Sequence, residues 1–364
     1  AYTTQYSQQF FESRGNYVRC GGLEVARVDD DARMLELKRK IGQGKAFGSR
    51  VSLISPAEAK AKFPLLAEDQ IQGALWDPDA GLVVPRSQKV AGDLVDEAVA
   101  SGKLKAFPNT PALKIVVDAG RVIGVETRRG FIASEKVVLS VGIWGPLLAD
   151  QVGSKLPLMP LEHPLLFFGP YDELTGSGQE IVYPLFRDQG NSSYVRDTGD
   201  PKTTEGGRVE WGYYETEHPR LVHARDIAAP ETARMSPSMR DLTLDQVMDA
   251  YEKAIEMTPI LGELGWEERH SFNGLLSVTS DGGSLIGESP EVAGLWFAEA
   301  VWIKDGPGVG KVVADWMTEG APALDPHRVD IALANLSCQQ VQIDDSSHYS
   351  GSFSPLIHTH RPEA

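Results

Sequence analysis

At 364 residues, 41% hydrophobic and 24% charged, the chain has the length for two domains or one two-lobed unit, and ample apolar content for a core. A formal net charge of −16 argues against nucleic acid or an anionic membrane surface as a partner. Cys20 and Cys338 are too few and too far apart for a disulfide framework or a zinc site, which points to a reducing compartment, and no apolar run reaches the roughly 18 residues of a membrane span.

The opening AYTTQYSQQFFESRG has neither an initiator Met nor a signal pattern, so a processed or incomplete chain is expected. Residues 1–13 predict an amphipathic helix with Tyr2, Tyr6, Phe10 and Phe11 on one face. DDARMLELKRKI predicts a second helix, with Gly42 as its stop; Gly42-x-Gly44 follows a helix rather than a strand and is no dinucleotide loop. Ser55 is an expected N-cap with Pro56 at the first helical position. Residues 77–81 form a turn, residues 82–84 a short strand, and a helix follows with Val90, Ala91, Leu94, Val95 and Ala98 together, stopped by Gly102. Residues 113–117, 122–127 and 131–133 predict a small meander.

KVVLS at 136–140 predicts a buried strand that ends in a glycine-flanked turn and a short helix. From residue 156 to about 265, short strand-like runs divided by Gly, Pro and Asp predict an antiparallel sheet, closed by a helix over 244–257. Residues 295–303 form an apolar run broken only by Glu299, the pattern of a buried strand; a helix begins near Pro307 with Val309, Val312, Val313 and Trp316 on one face. Glycines 306, 308 and 310 would let backbone N–H groups at that helix N-terminus approach an anion or an electron-rich ring edge, or would serve packing alone. His348, His358 and His360 in the tail lack matching carboxylate or cysteine spacing, so no metal site is expected.

FNGLLSVTSDGGSLIGES at 272–289, followed by GLWFAEAVWI at 294–303, resembles the C-terminal flavin-contacting segment of the D-amino-acid-oxidase-like FAD enzymes. Within them the chain is most similar to the dimethylglycine oxidase, dimethylglycine dehydrogenase and sarcosine dehydrogenase branch, from GGLEVAR at Gly22 through most of its length. The resemblance implies a mixed α/β (α+β) fold. Residues 1–155 and 266–320 would form a Rossmann-like FAD lobe lacking its first βαβ unit, because the family's opening strand–GxGxxG–helix is not in this sequence. Residues 156–265 would form the antiparallel substrate lobe, and residues 321–364 a tail toward a C-terminal folate domain that is also missing, the only place where tetrahydrofolate would bind.

The implied chemistry is oxidation of a secondary or tertiary N-methyl amino acid, with a hydride equivalent passing from the N–CH3 carbon to FAD. His163, ending the PL-x-PL-x-H run, and Tyr194 in SSYVRD match the family's substrate-site positions, with Tyr214 the next choice. A neutral His near pH 7 would accept or share the amine proton. Arg187 and Arg196 would balance a substrate carboxylate, or pair with the adjacent Asp188 and Asp197 at the surface. The matched cofactor contacts are Ala112, Gly142, Tyr194, Val301, Trp302, Ile303 and Lys304; Lys304 would stabilise an anionic flavin or point into solvent. The final electron acceptor would be oxygen or an electron-transfer flavoprotein, and the compartment the cytoplasm, or the mitochondrial matrix in a eukaryote. Two alternatives stay open: a degenerate subunit holding no FAD, and a flavoenzyme of this fold with another amine substrate.

Overall fold

The computed structural model describes residues 2–201, 206–215, 219–227 and 236–322; the tail histidines and Cys338 lie outside them. The alternating segments gather into a nine-stranded sheet. In spatial order its strands are Met239–Arg240, Phe272–Thr279, Leu158–Phe168, Val209–Tyr213, Ser193–Asp197, Leu185–Asp188, Gly22–Arg27, Ile71–Asp77 and Ser52–Ile54. Neighbours are antiparallel except Leu185–Asp188 with Gly22–Arg27. The sheet is therefore wider than residues 156–265. It takes three strands from before residue 155 and one from beyond 266.

Period-two alternation gives this sheet two unlike faces. One buries Leu23, Val25, Ala74, Leu166, Phe168, Phe186, Val195, Val209 and Trp211 beneath the helices Met248–Met257 and Ile260–Leu264. The other face is set by register. Leu165 lies opposite Gly212, Gly212 opposite Tyr194, Tyr194 opposite Arg187, and Arg187 opposite Glu24, so one row crosses five strands. His163 is two residues from Leu165 and shares its face.

A second core, built on Leu139, Leu158, Leu285, Leu295 and Phe297, underlies a three-stranded sheet of Leu285–Glu288, Leu295–Glu299 and Val137–Leu139. The pair Leu295–Glu299 and Val137–Leu139 is parallel. The meander Ala112–Asp118, Arg121–Thr127, Gly130–Ala133 forms as the sequence predicts.

The helix Tyr2–Ser13 seals the start of the helix Gly306–Glu319. A methyl group at Gly308 would come within 2.3 Å of the Thr3 carbonyl oxygen, and the Gly308 N–H donates to Ser7 Oγ at 3.0 Å. Of the three glycines at this N-terminus, 308 therefore serves helix packing and its N–H is already occupied, while Gly306 and Gly310 face open space. Gly42 is not a stop. The helix runs Asp31–Ala46 straight through it, and the chain turns out at Gly48, which holds φ +80°. Ser55 and Glu58 form the capping box that begins the helix Pro56–Lys62. Among the described residues no helix is long and apolar enough to cross a membrane.

Candidate active site

His163 and Tyr194 stand on strands that are not neighbours; Val209–Tyr213 runs between them. An ordinary side chain in the middle would keep them apart. The residue there is Gly212, and a methyl group on it would come within 2.2 Å of Tyr194 Cζ and 2.3 Å of the phenol oxygen. The Tyr194 ring thus lies across the glycine, and its hydroxyl sits 3.0 Å from His163 Nε2. Tyr214, just past the end of the middle strand, completes a cluster of three rings. Its centroid is 4.5 Å from that of His163 and 5.8 Å from that of Tyr194.

Burial sets the charge state of this cluster. His163 is 8% exposed, and its Nδ1 has no hydrogen-bond partner among the described residues. Desolvation holds its pKa down to about 4, against a smaller opposite pull from the Tyr213 backbone. The imidazole is neutral at pH 7. Burial, with Glu210 and Tyr214 adding to it, raises the Tyr194 phenol above its ordinary value despite Arg196 and Arg187. Burial likewise raises Tyr214, with Arg187 opposing. Both phenols keep their protons.

The two arginines differ. Arg196 is locked to Glu210, with its Nε donating to Oε1 at 2.6 Å. Asp197 is not its partner. Instead Asp197 accepts the N–H groups of Val182, Tyr183 and Gly199 at 2.9, 2.8 and 2.7 Å. Asp188 likewise bonds Arg27, at 2.8 Å, rather than Arg187. Successive strand residues point to opposite faces, so neither Arg–Asp neighbour pair could form. Arg187 is exposed, makes no hydrogen bond or ion pair among the described residues, and casts its charge on Tyr194 and Tyr214.

Tyr194 apart, the positions expected to touch a cofactor lie outside this cluster. Gly142 follows the strand Val137–Leu139 and holds φ +57°; a methyl group there would meet only Ser277 Oγ, at 3.6 Å, so backbone conformation is what requires glycine. Val301 is half-buried, and Trp302, Ile303 and Lys304 are exposed at the turn into the last helix. The Lys304 ammonium bonds Asp305, which also accepts the hydroxyls of Thr3 and Thr4 at 3.1 and 2.7 Å. Ala112 is exposed on the meander, opposite Thr127. A groove of about 650 Å³ lined by Tyr6, Phe10, Val90, Leu94, Ile303 and Pro307 opens beside this turn.

Glu299 ends the parallel strand beneath these turns. It is 1% exposed, accepts the Val141 N–H at 2.9 Å through Oε1, and leaves Oε2 buried without a hydrogen-bond partner among the described residues. Burial raises its pKa to about 7, against the Val141 and Gly142 backbone. An open glycine turn at the C-terminal ends of parallel strands, an apolar exposed Trp302–Ile303 step and an orphaned buried carboxyl oxygen suit the ring end of a flavin. Sequence reasoning missed Gly212, whose signal was a glycine inside the aromatic run WGYYE, and Glu299, the lone charge in an apolar strand.

The family model described as FAD dependent oxidoreductase matches residues 2–316. The chain is 28% identical over 323 residues to the mitochondrial sarcosine dehydrogenase of Homo sapiens, an alignment covering 86% of this chain and 32% of that protein. It is 29% identical over 320 residues to the formaldehyde-forming 4-methylaminobutanoate oxidase of Paenarthrobacter nicotinovorans, covering 87% and 36%. The chain thus spans about a third of the length of these relatives. Among solved structures, L-proline dehydrogenase from P. horikoshii superposes with a TM-score of 0.75 at 20% identity, covering 93% of this chain and 83% of that one.

Proposed function

The chain belongs to the FAD dependent oxidoreductase family, and from that premise we propose that its polar sheet face binds an N-methyl amino acid for oxidation at the N–CH3 carbon. The observation that carries this reading is the His163–Tyr194 contact of 3.0 Å made across Gly212, with Tyr214 closing the cluster. FAD, when bound, supplies the two-electron acceptor. The residues that would hold its ring end are Gly142, Val301, Trp302 and Ile303, which line or flank the open turns.

Burial bears on the role His163 would take. Moving a proton from an alkylammonium near 10 to an imidazole near 4 costs about 8 kcal/mol, too much for a resting acceptor. His163 therefore does not store the amine proton. It stays neutral and, through its 3.0 Å contact, fixes the Tyr194 hydroxyl to face an amine that has already lost its proton to solvent. Binding and turnover rise with pH as free amine becomes available, and His163 adds no inflection of its own between pH 5 and 9.

The test is flavin reduction by dimethylglycine or sarcosine in protein supplied with FAD. His163→Ala should slow reduction by about 100-fold or more, within the range of a lost positioned acid–base or hydrogen-bonding group, while FAD retention, read from visible absorbance, changes less than about twofold. Equal loss of both assigns His163 to structure. FAD-loaded wild-type protein that neither amine reduces overturns the reading.

A further inference from the structure

We propose that Pro164 and the Tyr213 carbonyl fix His163 as the tautomer protonated on Nδ1, so that Tyr194 turns an oxygen lone pair, not its proton, toward the substrate. The starting point is a proline in an interior strand. Leu158–Phe168 runs between Phe272–Thr279 and Val209–Tyr213, and Pro160 and Pro164 bracket His163 within it. Proline has no N–H to give a ladder and is rare in such strands. Backbone direction shows which bond Pro164 forgoes. The Phe167 N–H points to the Ser271 hydroxyl on one side, at 3.1 Å, and the Glu162 N–H to the Arg220 carbonyl on the other, at 2.9 Å. Residue 164 shares the direction of residue 162. The register that sets Leu165 opposite Gly212 sets Pro164 opposite Tyr213. The Tyr213 carbonyl therefore receives no ladder N–H from Pro164.

His163 stands beside that carbonyl. Its Nε2 meets the Tyr194 hydroxyl at 3.0 Å, which leaves Nδ1 for the Tyr213 side. Against the effect of burial, the Tyr213 backbone strengthens the hold of His163 on a proton, as a carbonyl does and an N–H does not. The contact is looser than a hydrogen bond, since Nδ1 has no partner of that geometry among the described residues. It still decides the tautomer. The ring is buried and neutral, so one of its nitrogens carries the proton. A bare Nδ1 would set its lone pair against those of the carbonyl where no solvent screens them, whereas a protonated Nδ1 faces an acceptor. Nε2 is then the bare nitrogen, and it takes the Tyr194 proton. A phenol has one proton, so on its other side the oxygen only accepts. On the oxidation reading above, on which this consequence rests, a bound free amine must bring an N–H to that oxygen. A secondary N-methyl amine has one, and a tertiary amine has none.

Long-range proton–nitrogen NMR of the full chain, with nitrogen-labelled histidines, reads the tautomer without FAD or substrate. The His163 signals are those missing from His163→Gln. Near neutral pH, wild type should show a protonated Nδ1 and a bare Nε2. Tyr194→Phe should keep that pattern, because the carbonyl sets it. Pro164→Ala returns an N–H to the Tyr213 carbonyl and should shift the proton toward Nε2, whereas a merely structural proline would leave the nitrogen signals unmoved. Two probes then read the acceptor. N-methoxyglycine and N-methoxy-N-methylglycine have nitrogens that stay unprotonated near neutral pH, and only the first carries an N–H. The first should bind at least about 10-fold tighter in titrations of the same signals, and Tyr194→Phe should bring the ratio within about twofold. A bare Nδ1 in wild type, an unmoved tautomer in Pro164→Ala, equal binding of the probes, a ratio that survives Tyr194→Phe, or no binding of either overturns the proposal. The Nδ1-protonated pattern in protein whose bound FAD neither sarcosine nor dimethylglycine reduces supports the His163 assignment while removing the oxidation reading.

Discussion

Gly212 decides what the polar face can hold, because its missing side chain is the space through which Tyr194 reaches His163. Gly212→Ala places a methyl group within 2.2 Å of Tyr194 Cζ, so the ring must swing off the histidine. Overpacking of this kind costs about 1–3 kcal/mol, and the functional loss should equal that of Tyr194→Phe, which deletes the same hydroxyl. The two changes remove one contact and are therefore non-additive. Flavin-reduction rates of the singles and the double variant check this: a double variant as slow as the product of the singles would show that Gly212 acts elsewhere. At this scale the family resemblance singled out His163 and Tyr194, which the fold brings into contact, but not Gly212, since its effect is defined by a residue on the next strand. The choice between Arg187 and Arg196 was half legible. Once their segments are strands, alternation forbids pairing with Asp188 and Asp197; that Glu210 would take Arg196 required the register.

The parallel strand Leu295–Glu299 carries the clearest mismatch between an element and its sequence. Strand burial demands apolar side chains, yet Glu299 is almost wholly enclosed, with Oε1 on the Val141 N–H and Oε2 unbonded among the described residues. Its pKa near 7 in the folded chain lies above the 4.5 of an unburied Glu, so the folded state holds the proton more tightly than the unfolded one. The sign follows. Its contribution is fully present below about pH 4.5 and is lost as the pH rises through about 7, amounting to about 3 kcal/mol at most. Glu299→Gln keeps a carbonyl for the Val141 N–H and carries no charge. Its thermal midpoint should therefore stay level relative to wild type below pH 4.5 and exceed it progressively between pH 5 and 8; a constant offset across that range would show that Glu299 does not titrate there. Helix signals fared unevenly. The Ser55–Glu58 box was readable because it is local, whereas Gly42 looked like a stop that the chain reaches only at Gly48, where the backbone turns left-handed.

At the scale of the molecule, the sequence signalled antiparallel strands but not how many share one sheet, because hydrogen bonding between Leu185–Asp188 and Gly22–Arg27 joins segments more than 150 residues apart and leaves no local trace. That pairing has a consequence for where the chain can be divided. A fragment of residues 156–265 would lose Leu23, Val25, Phe63, Leu66, Ile71 and Ala74 from the main core, including the Phe63 ring stacked on Phe186 at 4.9 Å. It would also lose the Phe272–Thr279 partner of its longest strand, which is paired through eight residues. Both flanks of the remaining sheet would become bare edges, with backbone groups open to other chains. Expressed alone, this fragment should show no cooperative thermal unfolding and should self-associate. Residues 1–322, which keep both flanks and the contact of the first helix with the last, should unfold cooperatively. Differential scanning calorimetry of the two distinguishes the cases: a sharp transition in the 156–265 fragment would mean that the substrate face folds as an independent unit and that the strands from residues 22–77 merely dock on it.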